Sequence, residues 1–465
     1  MPAWQWTRSP LTPLVAASGF LALFAGALAG VEPKLGLLAA FGAVFAVLVL
    51  TSLQIGFLAM VLFAYLEVLT VAGGVSLAKV AGVLIVVAWL AVMTVRGGKE
   101  RNFFTEHAGL TYLLLAFLGW SAISVAWSQS TSVGLESVMR YALDAALVPI
   151  AYTAVRDRRD AVHVFAAIAF GATIAAISAI ASPPAAESAV AGRATGTVGD
   201  PNELAAALIV GLAIAMAFVV NRHFSTRGRV LGGIAAALCL TGILISLSRG
   251  GLIGLGAALV IAVVVGGRWR GRILAIGGAL ALCAVGYFAV FASLPAQERV
   301  LNVTGGNGSG RLELWTVGLR MLEAHPVNGI GTGQFQLASV HYLLRPGLFE
   351  TGEYILSTPK VAHNTYLNVA AELGLVGGAL FVALLLFSLG CTLLAVKRAR
   401  EAGDERMEIL LRGLVVGIGG FLVTLVFLSE NYAKLLWIVI ALGPAMLAVM
   451  TARLRDRFEN AGSFP

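Results

Sequence analysis

Uninterrupted apolar runs of about twenty residues, joined by short polar connections, recur along almost the whole chain, and this pattern leaves few folds open. About twenty apolar residues in a helix cross the roughly 30 Å hydrocarbon core of a bilayer, and backbone groups in lipid must be satisfied inside the segment that carries them. The runs fall at 14–32, 35–52, 54–71, 76–95, 108–127, 140–155, 161–182, 203–220, 230–248, 250–266, 273–293, 363–396, 409–428 and 432–452. A membrane β-barrel would instead show alternating segments of roughly ten residues. With 59% hydrophobic and 12% charged residues, and a mean hydropathy of +0.89, a soluble globule is excluded. The expected fold is all-α: a polytopic transmembrane helical bundle of about 12–14 spans with one large extracytoplasmic loop.

The basic residues set the orientation. Arg96/Lys99/Arg101, Arg156/Arg158/Arg159, Arg222/Arg227/Arg229, Arg268/Arg270/Arg272, Lys397/Arg398/Arg400/Arg406 and Arg453/Arg455/Arg457 mark every second connection, as the positive-inside rule requires. The net charge of +8 and pI ≈ 9.6 are therefore topological and call for no nucleic-acid partner. Both termini are expected to be cytoplasmic, with the first helix retained because no small-residue cleavage site precedes it. Three regions follow: N-terminal transmembrane helices over 1–293, a large outer loop over 294–362, and C-terminal transmembrane helices over 363–465. Cys239, Cys283 and Cys391 lie inside apolar runs without metal-ligand spacing and read as small buried hydrophobes.

The same alternation places four pieces on the outer side: Ser128–Met139, Ser182–Asn202, the turn Ser248–Gly251, and Leu294–Ala362. Arginines there oppose the topological bias, so Arg193 and Arg249 become candidate anion ligands, against the simpler reading of solvated loop charges. Asp200-Pro201-Asn202-Glu203 has the pattern of a capping box and starts a helix. In the long loop, Leu312, Trp315, Leu319 and Leu322 recur at helical spacing up to His325-Pro326, which predicts an amphipathic helix over 311–324 on the membrane surface or capping the bundle. Arg311 would stand at its N-terminus, where the helix dipole disfavours a cation. With the glycine-rich run 305–310, whose amides are able to form a nest, it makes a candidate phosphate site, the alternative being a flexible loop with one solvated arginine.

His363 then heads a stripe, Asn364, Asn368 and Glu372, that enters the next apolar run and must face the bundle interior or a wet cavity. At the membrane boundary and near outer arginines, His363 is a candidate general base, against the commoner structural role of a lone histidine. Glu67 and Lys79 are expected to pair structurally.

The turn SLSRGG (Ser246–Gly251), the loop GRLELWTVGLRMLEAHPVNGIGTGQF (Gly310–Phe335) and HNTYLNVAAELGLVGG (His363–Gly378) occur in this order through the C-terminal half. In these the chain resembles the O-antigen ligase and O-antigen polymerase superfamily of bacterial envelope glycosyltransferases. The resemblance implies transfer of a glycan from a polyprenyl-diphosphate carrier to an acceptor hydroxyl of a lipid or glycan, at the outer face of the cytoplasmic (inner) membrane, with inversion and without a metal, cofactor or nucleotide sugar. It assigns His363 as base and Arg249 and Arg311 as diphosphate ligands. Arg193 joins them by its outer-loop position, and Asn364, Asn368, Glu372 and Arg320 support the site.

The physics of the residues agrees. A departing diphosphate needs fixed cations, and arginine offers a rigid fork that stays charged. The resemblance fits a ligase completing lipopolysaccharide or a polymerase joining lipid-linked repeats; one dominant outer loop leans towards the ligase. A transporter of lipid or glycan would instead show internal repeats and mid-bilayer ionisable residues. A peptidoglycan glycosyltransferase would use an acidic catalytic residue.

Overall fold

Short polar residues start the helices. Asp157 accepts from the amides of Arg159 (2.7 Å) and Asp160 (2.9 Å), Asp200 from Asn202 (2.7 Å) and Glu203 (3.1 Å), and Ser225, Ser248, Asn364 and Asp404 each accept from the amide three residues on. Each satisfies amides that a helix start leaves without intrahelical partners. The computed structural model describes residues 30, 42, 44–69, 76–96, 102–182, 193–290, 311–343 and 360–460. Of these, 83% are helical and none forms a strand, so the all-α expectation holds.

In chain order the helices are α1 (Leu53–Phe63), α2 (Leu77–Arg96), α3 (Phe103–Glu106), α4 (Ala108–Ser124), α5 (Thr131–Ala145), α6 (Leu147–Ala154), α7 (Arg158–Ala181), α8 (Pro201–Val220), α9 (Thr226–Ile245), α10 (Arg249–Val265), α11 (Arg270–Val290), α12 (Arg311–Ala324), α13 (Phe335–Leu343), α14 (Thr365–Glu401), α15 (Glu405–Thr424) and α16 (Lys434–Asn460). Among the described residues eight helices are long and apolar enough to cross a membrane, or nine if α10 and α11 form one bent span. The expected spans at 76–95, 108–127, 161–182, 203–220, 230–248, 363–396, 409–428 and 432–452 each coincide with one of the eight. That at 14–32 lies almost wholly outside the described residues, and of that at 35–52 the described second half is helical over 44–51. The run at 54–71 forms only the eleven-residue α1, which turns at Ala64. The run at 140–155 belongs to a helical stretch that already begins at Thr131, so the expected outer connection Ser128–Met139 is mostly helix.

The centre is occupied by α8 and α16, whose membrane windows are 78% and 83% buried. Around α8 pack α7, α9, α10 and α15; α14 packs along α16. Pro444 interrupts α16 and has no N–H to give Ile440, and the Ser388 hydroxyl of α14 donates to that carbonyl at 2.8 Å instead.

The polar loop builds a small layer on α14. Here the helix over 311–324 forms as expected, but its buried face is Glu313, Leu314, Val317, Gly318 and Met321, whereas Leu312 and Leu319 are exposed. Leu314, Val317 and Met321 join Phe335, Tyr342 and Ala371 in a separate apolar cluster. The reason lies in the connection 326–335, which wedges into a kink of α14. At the kink Gly374 has φ 68, and a Cβ there would lie 2.1 Å from the Val327 carbonyl oxygen. Across it, Leu375 N–H donates to Pro326 (2.8 Å), Ile330 N–H to Ala371 (3.1 Å), and Gly331 N–H to Glu372 (2.8 Å). The wedge reaches α4 as well, where Trp120 donates to the Leu373 carbonyl (2.8 Å) and Thr332 N–H to Ser124 (3.1 Å).

Glu67 pairs with Lys434 at 3.7 Å, not with Lys79 as expected, because α16 starts beside the end of the α1 connection.

Candidate functional site

Two non-glycine residues among those described hold a left-handed backbone, Leu247 (φ 50) and His363 (φ 47), and each lies in a motif singled out from the sequence. Such conformations cost about 1–3 kcal/mol and persist only where surrounding contacts impose them. For Leu247 the contacts are clear. Ser246 and Ser248 on either side are buried; Ser246 donates to Ile243 (2.7 Å), and Ser248 donates to Asn202 Oδ1 (2.9 Å) while accepting from Gly251 N–H (3.1 Å). This turn aims Arg249 out of the first position of α10.

Arg193 buttresses the same turn. It is buried, with Nε donating to the Ser246 carbonyl (2.9 Å) and Nη2 to Asn202 Oδ1 (2.8 Å). Asn202, two residues after the Asp200 cap, therefore ties the 193–199 segment, α8 and the SLSRGG turn into one unit. Arg249 differs: it is half-buried, and no hydrogen bond or ion pair engages its guanidinium among the described residues.

The other side of the site is built on α12 and α15. Gly250, next to Arg249, packs so closely on Phe427 that a Cβ would lie 2.8 Å from it, and the Phe427 ring lies 6.4 Å from that of Trp315. Trp315 stands one helical turn after Arg311. Thr365, two residues after His363, donates to the Leu428 carbonyl (2.6 Å) and accepts from Glu430 N–H (2.9 Å). Arg249, Arg311 and His363 are thus carried by three elements that meet around Phe427 and Leu428.

The electrostatics of His363 follow from this placement. Burial lowers its pKa below the usual imidazole value, the Arg311 charge lowers it further, Asp200 opposes, and Lys360 adds to the lowering. The ring is therefore neutral at pH 7, the state able to accept a proton. An acidic pair joins α8 to the connection whose Glu430 amide bonds Thr365. Glu203 turns its carboxyl to Glu430 instead of folding it back on its own helix start. Burial, then the neighbouring Glu203 carboxyl, with Glu67 and Asp200 adding, push Glu430 well above the usual carboxylate range. Neither this pair nor Asn202 stands out in the sequence: Glu430 sits in a short connection, and Asn202 reads as part of a helix cap.

The supporting residues have structural partners. Asn364 caps α14 through Leu367 N–H (3.0 Å). Asn368 and Glu372 are buried, as the stripe requires, and hydrogen-bond each other. Glu372 also accepts from Gly333 N–H (2.9 Å) and Phe335 N–H (3.1 Å), so its carboxylate fills the amide nest of the GIGTG loop and starts α13. That loop is thus already closed on a side chain of this protein. Arg320 donates to the Tyr342 carbonyl (3.0 Å) and joins α12 to α13. The glycine-rich run 305–310 lies outside the described residues. Among those described, no three His, Cys, Asp or Glu side chains are placed to hold a metal ion.

No curated protein matches the chain significantly. A family model does: the one described as O-antigen ligase matches residues 234–382, from α9 through the SLSRGG turn and the outer layer to α14, past the kink. The motif resemblance and this match coincide on the stretch that carries Arg249, Arg311 and His363, so over residues 234–382 the chain is similar to the O-antigen ligase family.

Proposed function

We propose that the protein transfers a glycan from a polyprenyl-diphosphate carrier to an acceptor hydroxyl, with His363 as general base and Arg249 and Arg311 as ligands of the diphosphate. The observation that carries this reading is His363 itself, held in a left-handed turn, kept neutral by burial and by Arg311, at the junction that also bears Arg249. A ring nitrogen of His363 takes the acceptor proton as its oxygen attacks the anomeric carbon. The bond from that carbon to the diphosphate oxygen breaks on the opposite face, with inversion, and the diphosphate leaves with the electron pair. Fixed cations stabilise charge as it develops there, and the base is worth typically 10²–10⁴-fold. Arg193 acts indirectly, by holding the turn that aims Arg249.

We place the site on the periplasmic side of the inner membrane, with both termini cytoplasmic, on the strength of the Lys/Arg alternation. Cysteines at Glu323 and Arg227 test this: an impermeant thiol reagent on spheroplasts should label the first and spare the second. The activity is tested by transfer from purified lipid-linked glycan in detergent with excess EDTA. Transfer to a lipid-core acceptor under chelation supports a metal-independent ligase; joining of donor units to each other marks a polymerase. Loss with EDTA and recovery with Mg²⁺ would overturn the arginine clamp.

A further inference from the structure

The opposite end of the bundle carries a second site that the glycan reaction does not use. Helix α10 ends at Gly266 and Gly267 (φ 51), and the chain bends by 115° into α11. Because α11 leaves at this angle, a crevice of about 180 Å³ stays open between α8, α10, α11 and α15. Its wall is apolar, from Leu212, Met216, Leu259, Ile273, Ile409 and Val416. For comparison, an engineered apolar cavity of roughly 150 Å³ stays dry and takes up benzene.

The mouth is basic. Trp269 sits there with the Arg268 guanidinium 4.4 Å and that of Arg412 5.5 Å from its ring centroid. Two carboxylates serve several basic side chains: Glu405 meets Arg268 (2.6 Å) and His223 (3.4 Å), and Glu408 meets Arg412 (2.6 Å) and Arg400 (3.7 Å). Arg222 and Arg272 open onto the same mouth, are exposed, and have no ion-pair partner among the described residues.

We propose that this crevice binds an anionic phospholipid of the leaflet opposite His363, one acyl chain entering between α10 and α11 and the phosphate lying against Arg222 and Arg272. Topology alone would account for arginines in a connection, but not for an apolar crevice opening between them. A free phosphate would leave that wall bare, and a zwitterionic lipid would bring its own cation up to the excess arginines. Basic pockets between transmembrane helices suit anionic headgroups, and each arginine near the surface strengthens the attraction. The proposal stands apart from the glycosyl-transfer reading, since it shares no residue with it.

The test is native mass spectrometry of the full chain released from nanodiscs holding equal phosphatidylglycerol and phosphatidylethanolamine. The protein should retain phosphatidylglycerol preferentially, and Arg222→Ala/Arg272→Ala should cut that retention about tenfold or more. Ala262→Phe, which fills the crevice and spares the arginines, should do the same, and Ile273→Trp replaces it should the first variant not fold. Inorganic phosphate at millimolar concentration should not compete. Equal retention of the two lipids, wild-type retention in the arginine or crevice variants, or displacement by phosphate would each overturn the proposal.

Discussion

The two ends of the bundle differ in how their arginines are matched, leaving aside the exposed Arg222 and Arg272. At the far end Arg158, Arg268, Arg400 and Arg412 are matched by Asp404, Glu405 and Glu408 in ion pairs of 2.6–3.7 Å. At the His363 end Arg249 stands without such a partner among the described residues, on a turn strained at Leu247. There Glu203 pairs with Glu430, Glu372 fills a backbone nest, and Glu67 pairs with Lys434, so none of these acids engages Arg249. A cation left unmatched beside acids engaged elsewhere is held ready for an external anion; a cation with its acid in place fixes helices and directs insertion.

The largest effect that separates the ends should come from His363→Ala, with glycan transfer reduced by about 10²–10⁴-fold while the protein still folds and binds the donor. His363→Gln keeps a hydrogen bond but gives no useful base, and should be nearly as inactive. Arg412→Ala at the far end should leave turnover close to wild type and lower thermal stability, because it leaves the buried Glu408 with only the longer contact to the exposed Arg400. Wild-type transfer in His363→Ala, measured with purified lipid-linked donor, would erase the distinction.

Next comes Glu372. Removing its carboxylate leaves the Gly333 and Phe335 amides unsatisfied, at about 1–3 kcal/mol each. Glu372→Ala should therefore lower the midpoint of thermal unfolding clearly, and limited proteolysis should cut first within 326–343, where the outer layer loses its hold on α14. An unchanged melting curve would show that the wedge is held by the backbone bonds across Gly374 alone.

Helix identity was legible in the sequence because hydropathy and caps are local. Eight expected spans match eight helices, and the outer helix begins at Arg311 as its pattern predicts. Its buried face was not legible. Leu312 and Leu319 carry the obvious period, but the kink at Gly374 presents α14 to the other face, and that kink depends on residues 326–331, far away in sequence. The candidate site was legible where a residue is odd for its position, as an arginine against the Lys/Arg alternation or a histidine heading a polar stripe is. It was not legible at Glu430 and Asn202, whose roles exist only once α8 and the 428–433 connection meet.

A conservative change sharpens the contrast further. Arg249→Lys keeps the charge but loses the fork that binds phosphate bidentately, and should cost about tenfold or more in kcat/KM. Arg400→Lys, whose side chain is 69% exposed beside Glu408, should stay within about 0.5 kcal/mol of wild type in stability and unchanged in transfer. Equal losses in the two variants would mean that Arg249 is not an anion ligand.

The smallest effect is a displacement of the pH profile. Because burial and Arg311 lower the His363 pKa, the neutral ring persists to a pH below the usual imidazole value of about 6.5. Transfer should then be flat through neutral pH and fall only in acid. Arg311→Gln removes a charge that disfavours the imidazolium, so the pKa rises and the acid limb of the profile moves to higher pH, whatever the variant's absolute rate. Asp200→Asn removes a charge that favours the imidazolium and should move the limb the other way. Arg400→Gln, at the far end, should leave it in place. Stability follows the same sign: the contribution of the neutral ring is present above about pH 6.5 and is lost as pH falls through the folded value. A limb that does not move in Arg311→Gln, or moves equally in Arg400→Gln, would separate His363 from the arginine that the geometry sets beside it.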